Sequence, residues 1–359
     1  MPSKDDAFLD ALAEEVQAAA PVPTDSLPEP LSLDDLEAME LPGTQWAMNR
    51  VIPYPGLVAV SGRPGSYKTF FCLWLALRIA EGLPLFEEKD AADIAPLTGP
   101  VPVLFIEEEN TVRLVRERML GFKRGKSVPL HFYIDQGFKM MDPSWREKVL
   151  AFVAARGIRV IFMDPFSSVM GLKDENSNAE VAAVMDVVRK EFIKRDVSIV
   201  FIHHPSKGDE GGKSLRGAGD ILGKCDVHLS LENEKADRRT VRVSYEKMRV
   251  ADEASMRNFK MRIEGDPAMR DTRFAYLGEA KPEFQEEREK LVEEARKALP
   301  GMGDEFTRKE LAEACDTSPS ADRFTAAWGE LLKSGEVVKV SRTAFRRRTA
   351  APLRKPTDA

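Results

Sequence analysis

The sequence predicts an α/β fold: a core built on a mostly parallel sheet with an antiparallel extension, followed by a small α+β domain. Three observations carry this expectation. From Leu57 onward, near-continuous apolar strands alternate with helical patterns, and the first of these strands runs into a glycine-containing turn of the phosphate-binding type. After His204 the strands follow one another through short connections. Apolar strands separated by helices indicate a parallel sheet covered on both faces, because each crossover lays a helix on the sheet.

Taken in order, Phe8 to Ala20 reads as a short amphipathic helix, with Phe8, Leu9, Leu12 and Val16 on one side. The proline-rich APVPTDSLPEP cannot continue it and reads as an extended linker. So short a helix is marginal alone, so docking on a neighbouring subunit is one expectation and plain disorder the other. The strands that follow are LVAVSG, VPVLFIEEE, HFYID, RVIFMDPF and SIVFIHH, with helices beginning near Lys68, Thr111, Pro143 and Asn178. VPVLFIEEE is expected beside LVAVSG. DVHLSLEN, TVRVSYEKMR, FKMRIEG and RFAYLG then form the antiparallel extension.

A charged helix over 282–299 leads to the PGMGD boundary, and beyond it the pattern is helix, turn, helix and two short strands. Phe306, Leu311 and Ala314 are expected on an inner face, as are Phe324, Trp328 and Leu331, with Gly335 ending the second helix. The expected domains are 1–40 (N-terminal helix and proline-rich linker), 41–280 (core), 281–303 (linker helix), 304–348 (small domain) and 349–359 (basic disordered tail).

The 359 residues suffice for two domains, and 43 % hydrophobic with 31 % charged residues is a soluble globular composition. No apolar run approaches the roughly 18 residues of a membrane span, and the N-terminus is acidic without a secretory apolar stretch. Cys72, Cys225 and Cys315 lie far apart without metal-ligand spacing. The expectation is a cytoplasmic protein with reduced thiols and no membrane partner. A net charge of −6 hides an asymmetry. Acids crowd the first forty residues, whereas Lys339, Arg342, Arg346, Arg347, Arg348, Arg354 and Lys355 make the far end basic. That end suits nucleic acid, a solvated tail being the alternative.

Chemistry concentrates at strand ends. Gly62, Arg63, Pro64, Gly65, Ser66, Tyr67, Lys68, Thr69 and Phe70 form the candidate nucleotide-binding set. Backbone N–H groups from Gly62 to Thr69 would wrap phosphates at a helix N-terminus. Lys68 would reach the β- and γ-phosphates and the Thr69 hydroxyl would bind Mg²⁺. The motif wants glycine before its lysine, and Tyr67 is tolerable there if its φ stays negative. Asp164, ending VIFMD, would hold the metal from the carboxyl end of a central strand. One of Glu107, Glu108 and Glu109 would orient and deprotonate the attacking water, and spacing alone does not choose among them. His203 and His204 end another buried strand, and alternation lets at most one face the site.

Together these residues resemble the RecA-like ATPases, most closely the RepA-like hexameric plasmid and phage helicases, over roughly 41–278. In that family an aromatic often precedes the lysine, so Tyr67 looks like a family variant. The resemblance implies catalysis by Glu109, with Asn110 departing from the family's aspartate, a structural Arg118, and His204 followed by Lys207 as phosphate sensor and DNA contact. KSLRGAGDILGKCDV is similar to the channel loop of DnaB-type helicases and implies single-stranded DNA contacts by Lys213, Arg216 and Gly217. YEKMR matches their K-x-R pair, implying that Lys247 and Arg249 reach the phosphate of an adjacent subunit. The C-terminal segment resembles a winged helix, which implies a duplex-DNA or replication-protein partner. The implied whole is a ring-shaped homo-oligomer, six-membered, that uses ATP and Mg²⁺ to move on single-stranded DNA in the replication of a plasmid, phage or other mobile element. A RadA-like recombination or clock-type ATPase, or an ATP-gated DNA-binding regulator, are the alternatives.

Overall fold

The five residues Leu57–Ser61 are buried without exception, which requires cover on both faces and both edges of their strand. The computed structural model supplies it, and describes residues 29–40, 43–97, 99–125, 127–173, 177–203, 223–251, 257–281 and 283–347. The chain divides into units Met1–Gly43 and Thr44–Ala359. In the first, helix α1 (Leu33–Ala38) is fixed by a capping box in which Ser32 Oγ accepts from Asp35 N and the Asp35 carboxylate accepts from Ser32 N. The predicted helix at 8–20 lies outside the described residues.

The second unit opens with a hairpin, β1 (Gln45–Met48) and β2 (Ile52–Tyr54). Nine further strands make one sheet: β3 (Leu57–Ser61), β4 (Val103–Glu107), β5 (Leu130–Ile134), β6 (Val160–Asp164), β7 (Ser198–His203), β8 (Val227–Asn233), β9 (Thr240–Met248), β10 (Phe259–Glu264) and β11 (Arg273–Glu279). Their spatial order is β5-β4-β6-β7-β3-β8-β9-β10-β11. The strands from β5 to β8 run parallel, and β9, β10 and β11 extend the sheet antiparallel, as the patterning predicts.

One expectation fails. The strand ending in the three glutamates, β4, does not neighbour β3. Both edges of β3 are taken by β7 and β8, and β4 pairs instead with β6 and β5. Sequence neighbours in a crossover fold need not be sheet neighbours, and apolar patterning carries no information on strand order.

Helices α2 (Lys68–Glu81), α3 (Val112–Gly121), α4 (Pro143–Arg156), α5 (Phe166–Met170) and α6 (Asn178–Glu191) follow their strands. Asp142 and Ser177 cap α4 and α6 with their side chains, and Gly82 and Gly157 close α2 and α4 in the left-handed conformation. One core packs α2 against Val58, Val60 and the antiparallel strands, and a second packs α4, α5 and α6 against Leu57, Ala59, Ile161 and Met163. The apolar sequence of α2 is explained by its surroundings. Phe274 of β11 lies against Phe70, Phe71 and Trp74, and a Phe122–Thr272 bridge closes the far side, so nearly every face of the helix is enclosed. Each such buried Phe or Leu contributes about 1.5–3 kcal/mol.

C-terminally, α7 (Glu283–Ala298), α8 (Arg308–Ala314), α9 (Asp322–Lys333) and the hairpin β12 (Val337–Lys339) and β13 (Phe345–Arg347) share a third core. Leu291, Val292 and Ala295 of α7 belong to it with Leu311, Phe324, Trp328 and Phe345. Phe306, Leu311, Phe324, Trp328 and Leu331 face inward as expected, and Gly335 takes φ +72° after α9. Ala314 does not face inward: it is exposed, and Cys315, four residues beyond Leu311, takes the inner position. Glu286 of α7 pairs with Arg242 of β9 and Lys260 of β10, tying this part to the sheet.

Candidate functional site

Register brings the candidate residues to one edge. Ser61 stands beside His203 across β3 and β7, and Glu107 beside Asp164 across β4 and β6. The carboxyl ends of four strands therefore converge where open α/β sheets bind ligands. Gly62 opens the loop because nothing larger fits: a Cβ there would meet Leu231 O at 2.4 Å and Ser66 Oγ at 2.5 Å.

Tyr67 does not keep the negative φ expected of it. It sits at φ +63°, ψ +21°, the left-handed conformation that glycine normally supplies. A side chain there costs roughly 1–2 kcal/mol, so the turn imposes glycine geometry on a tyrosine. Tyr67 begins α2 without a side-chain cap, which leaves the leading N–H groups of that helix without a side-chain acceptor.

Lys68 curls back so that Nζ donates to Gly62 O at 2.6 Å and Arg63 O at 2.9 Å. Burial lowers its pKa, opposed by the nearby Asp164 carboxylate. Thr69 Oγ1 donates to Asp164 Oδ2 at 2.6 Å. Asp164 is 1 % exposed, and burial together with the charge of Glu107 raises its pKa far above the ordinary carboxylate range. Ser66 Oγ is buried without a hydrogen-bond partner among the described residues.

The three glutamates have different environments. Glu107 is fully buried, and its Oε1 accepts from the backbone N–H of Glu109 and Asn110, both at 2.9 Å. Glu108 accepts from the N–H groups of Gln136, Gly137 and Phe138 at 2.9–3.2 Å, holding the turn after β5. Glu109 is exposed and lines a cleft of about 540 Å³ with Lys68, Thr69, Asp164 and Asn110. Clefts of 300–1,000 Å³ hold small-molecule ligands.

Arg118, read from the sequence as structural, also lines this cleft, with Nη1 buried and unpartnered among the described residues. Its spacing gave a signal: it lies three residues beyond Val115, a buried position of α3, and so shares the inward face. His228 was missed too. Its Nε2 hydrogen-bonds Ser61 Oγ at 2.8 Å, and burial pushes its pKa down to about 4. A histidine alternating with Val227, Leu229 and Leu231 in a buried strand was the available clue.

His203 is 2 % exposed and stacks on Phe166 at 5.0 Å between ring centres. His204, Lys207, Lys213, Arg216, Gly217 and Arg348 lie outside the described residues. Lys247 and Arg249 are not in the cleft. Arg249 N donates to Asp226 O, whose residue in turn pairs with Leu57 at the start of β3, and both side chains donate to Gly223 O. They stand at the end of the sheet opposite the phosphate loop.

The residues present fit a nucleotide and its metal. Hydroxyl and carboxylate oxygens are the hard donors that Mg²⁺ takes, and it is bound by one or two of them plus substrate phosphates. Asp164 and Glu107 repel one another in a dry site, and a divalent cation there would supply the opposite charge they lack. Among the described residues, no group of three His, Cys, Asp or Glu forms a separate metal cage, and no helix is long and apolar enough to cross a membrane.

The solved structure of the KaiC-like protein PH0186 from Pyrococcus horikoshii OT3 is similar at 16 % identity and a TM-score of 0.45, covering 65 % of this chain and 94 % of that one. A DnaB-like replicative helicase, whose structure is described with its interactions with primase, is similar at 14 % identity and a TM-score of 0.47, covering 77 % and 68 %. No curated protein matches the sequence. A family model described as "AAA domain" matches residues 22–210, more than half of the 359, and spans the phosphate loop, the glutamates and Asp164. The chain belongs to that AAA domain family and carries its nucleotide-binding capacity on an α/β core with a phosphate-binding loop.

Proposed function

We propose that the protein is an ATP-driven motor that works as a ring, six-membered, and moves on single-stranded DNA in the replication of a plasmid, phage or other mobile element. The observation that carries the reading is the separation of its charged groups. Lys68, Thr69, Asp164 and Glu109 share one cleft, whereas Lys247 and Arg249 sit at the other end of the sheet. Arg249 lies level with Leu57, a strand's length of roughly 13 Å from Ser61. A cation so placed serves the phosphates of a neighbouring protomer and not its own.

In this reading the loop N–H groups and Lys68 bind the β- and γ-phosphates. Thr69 and Asp164 would hold Mg²⁺, which would neutralise charge developing on the phosphates. Glu109 orients the attacking water and accepts its proton, because Glu107 and Glu108 are already engaged by backbone N–H groups. Arg118, beside them, stabilises charge at the γ-phosphate. His204 senses that phosphate, and Lys207, Lys213, Arg216 and Gly217 carry the contacts to single-stranded DNA, whose strength falls with salt.

The C-terminal helices and hairpin act as a winged helix. Arg323 is engaged by Glu287, Arg346 by Glu305 and Arg308 by Thr325. These exposed pairs are weak enough to exchange for another anion, and the partner of this part is duplex DNA or a replication protein.

ATP turnover with and without single-stranded DNA, followed by unwinding of a forked duplex, tests the proposal. Stimulation by single strands and unwinding are expected. Intact hydrolysis indifferent to both would leave a recombination or regulatory ATPase instead.

A further inference from the structure

Glycine before the lysine would relieve the left-handed turn at Tyr67 and remove its ring from the cleft. The chain keeps both. Tyr67 and Phe70 are half-buried, line the same cleft as Lys68 and Glu109, and have ring centres 6.5 Å apart. Phe70 is fixed from behind by Phe122 at 4.7 Å and Phe274 at 5.6 Å, which themselves lie at 1 % and 0 % exposure. Phe70 therefore cannot turn away, and Tyr67 adds a second ring to the lining of the cleft, tilted 54° to the first. This is a rigid apolar surface beside a cluster of charged groups, the division that a nucleotide presents between base and phosphates.

We infer that the side chains of Tyr67 and Phe70, tilted 54° to each other, form an aromatic platform for the nucleobase, one ring stacking on its face and the other meeting its edge, and that they favour a purine because its two fused rings reach both. The inference deepens the proposed ATP site and rests on it. Stacking is available to any base, so the platform adds affinity with modest selectivity, and it explains a tyrosine where the backbone asks for glycine. Base–aromatic stacking corresponds to roughly 5- to 150-fold in affinity per base.

The test compares Mg²⁺-dependent binding of ATP, CTP and inorganic triphosphate to the full chain, for the natural protein and for Tyr67→Gly and Tyr67→Leu. Glycine suits the turn and leucine keeps the bulk without the π-face. The natural protein is expected to bind ATP about tenfold tighter than CTP and tighter still than triphosphate. Both variants are expected to lose most of the advantage of ATP over CTP and over triphosphate. If triphosphate binds and the ATP advantage survives both substitutions, the platform is wrong and the phosphate site stands. If neither triphosphate nor ATP binds the natural protein, both readings fall.

Discussion

The Thr69 hydroxyl donates to the Asp164 carboxylate at 2.6 Å, joining the first turn of α2 to the carboxyl end of β6. It opposes the burial and the Glu107 repulsion that raise the pKa of Asp164. Asp164→Asn keeps an oxygen for Thr69 and removes the repulsion. It is expected to raise the Tm of the nucleotide-free protein while abolishing Mg²⁺-dependent turnover. Thermal melts and phosphate release measure the two effects. A lowered Tm would mean that the buried charge is better accommodated than its neighbours suggest.

The neighbours Glu108 and Glu109 should respond differently to substitution. Glu109→Gln is expected to cut turnover by about 10²–10⁴ with nucleotide affinity kept, the range for a lost general base. Glu108→Ala frees three N–H groups of the 136–138 turn and is expected to cost about 1–3 kcal/mol of stability. Turnover assays beside denaturant titrations separate these outcomes. A Glu109→Gln protein that still hydrolyses ATP would move the base to another residue.

The parallel core and its antiparallel extension were legible because apolar runs bounded by helices leave a sheet little choice of cover. Strand order was not legible, and β4 was misassigned for that reason. Among the candidate site residues, Lys68, Thr69 and Asp164 were expected from residue types at strand ends and Glu109 only from the family resemblance, and the structure brings the four to one cleft. The φ of Tyr67 was not legible, because the turn sets it against the preference of the side chain. Arg118 was read as structural because nothing in the sequence shows that the packing of α3 turns it toward the cleft. His228 escaped notice because its partner, Ser61, lies 167 positions away.

His228 gives the protein a defined acid sensitivity. Burial, with lesser repulsion from His203 and Lys247, lowers its pKa to about 4, against roughly 6.5 in an unfolded chain. The folded state therefore binds this proton less tightly than the unfolded state. The contribution of the neutral ring is whole above pH 6.5 and is lost progressively as pH falls from 6.5 toward about 4. His228→Gln retains a partner for Ser61 and does not titrate. Urea unfolding at pH 7, 6 and 5 is expected to show a steeper loss in the natural protein than in the variant. Equal slopes would assign the sensitivity to other groups.

The placement of Lys247 and Arg249 away from the cleft makes a prediction about mixtures. Lys68→Ala removes a protomer's hold on phosphate and leaves its Arg249 in place. Arg249→Ala does the reverse, leaving a complete cleft without its partner's cation. Each variant alone is expected to lose turnover by about 10³–10⁵, the worth of an arginine brought to a transferring phosphate. Mixed in equal amounts, the two restore some sites, because an intact cleft on an Arg249→Ala protomer can meet the intact arginine of a Lys68→Ala neighbour. Turnover in the mixture is therefore expected to rise well above that of either variant. If the mixture stays as inactive as its components while mass measurement shows that they co-assemble, Arg249 does not act across a boundary. Its bond to Gly223 O and its ion pair with Asp226 at 3.6 Å would then be its whole role, holding the foot of β8 to β9.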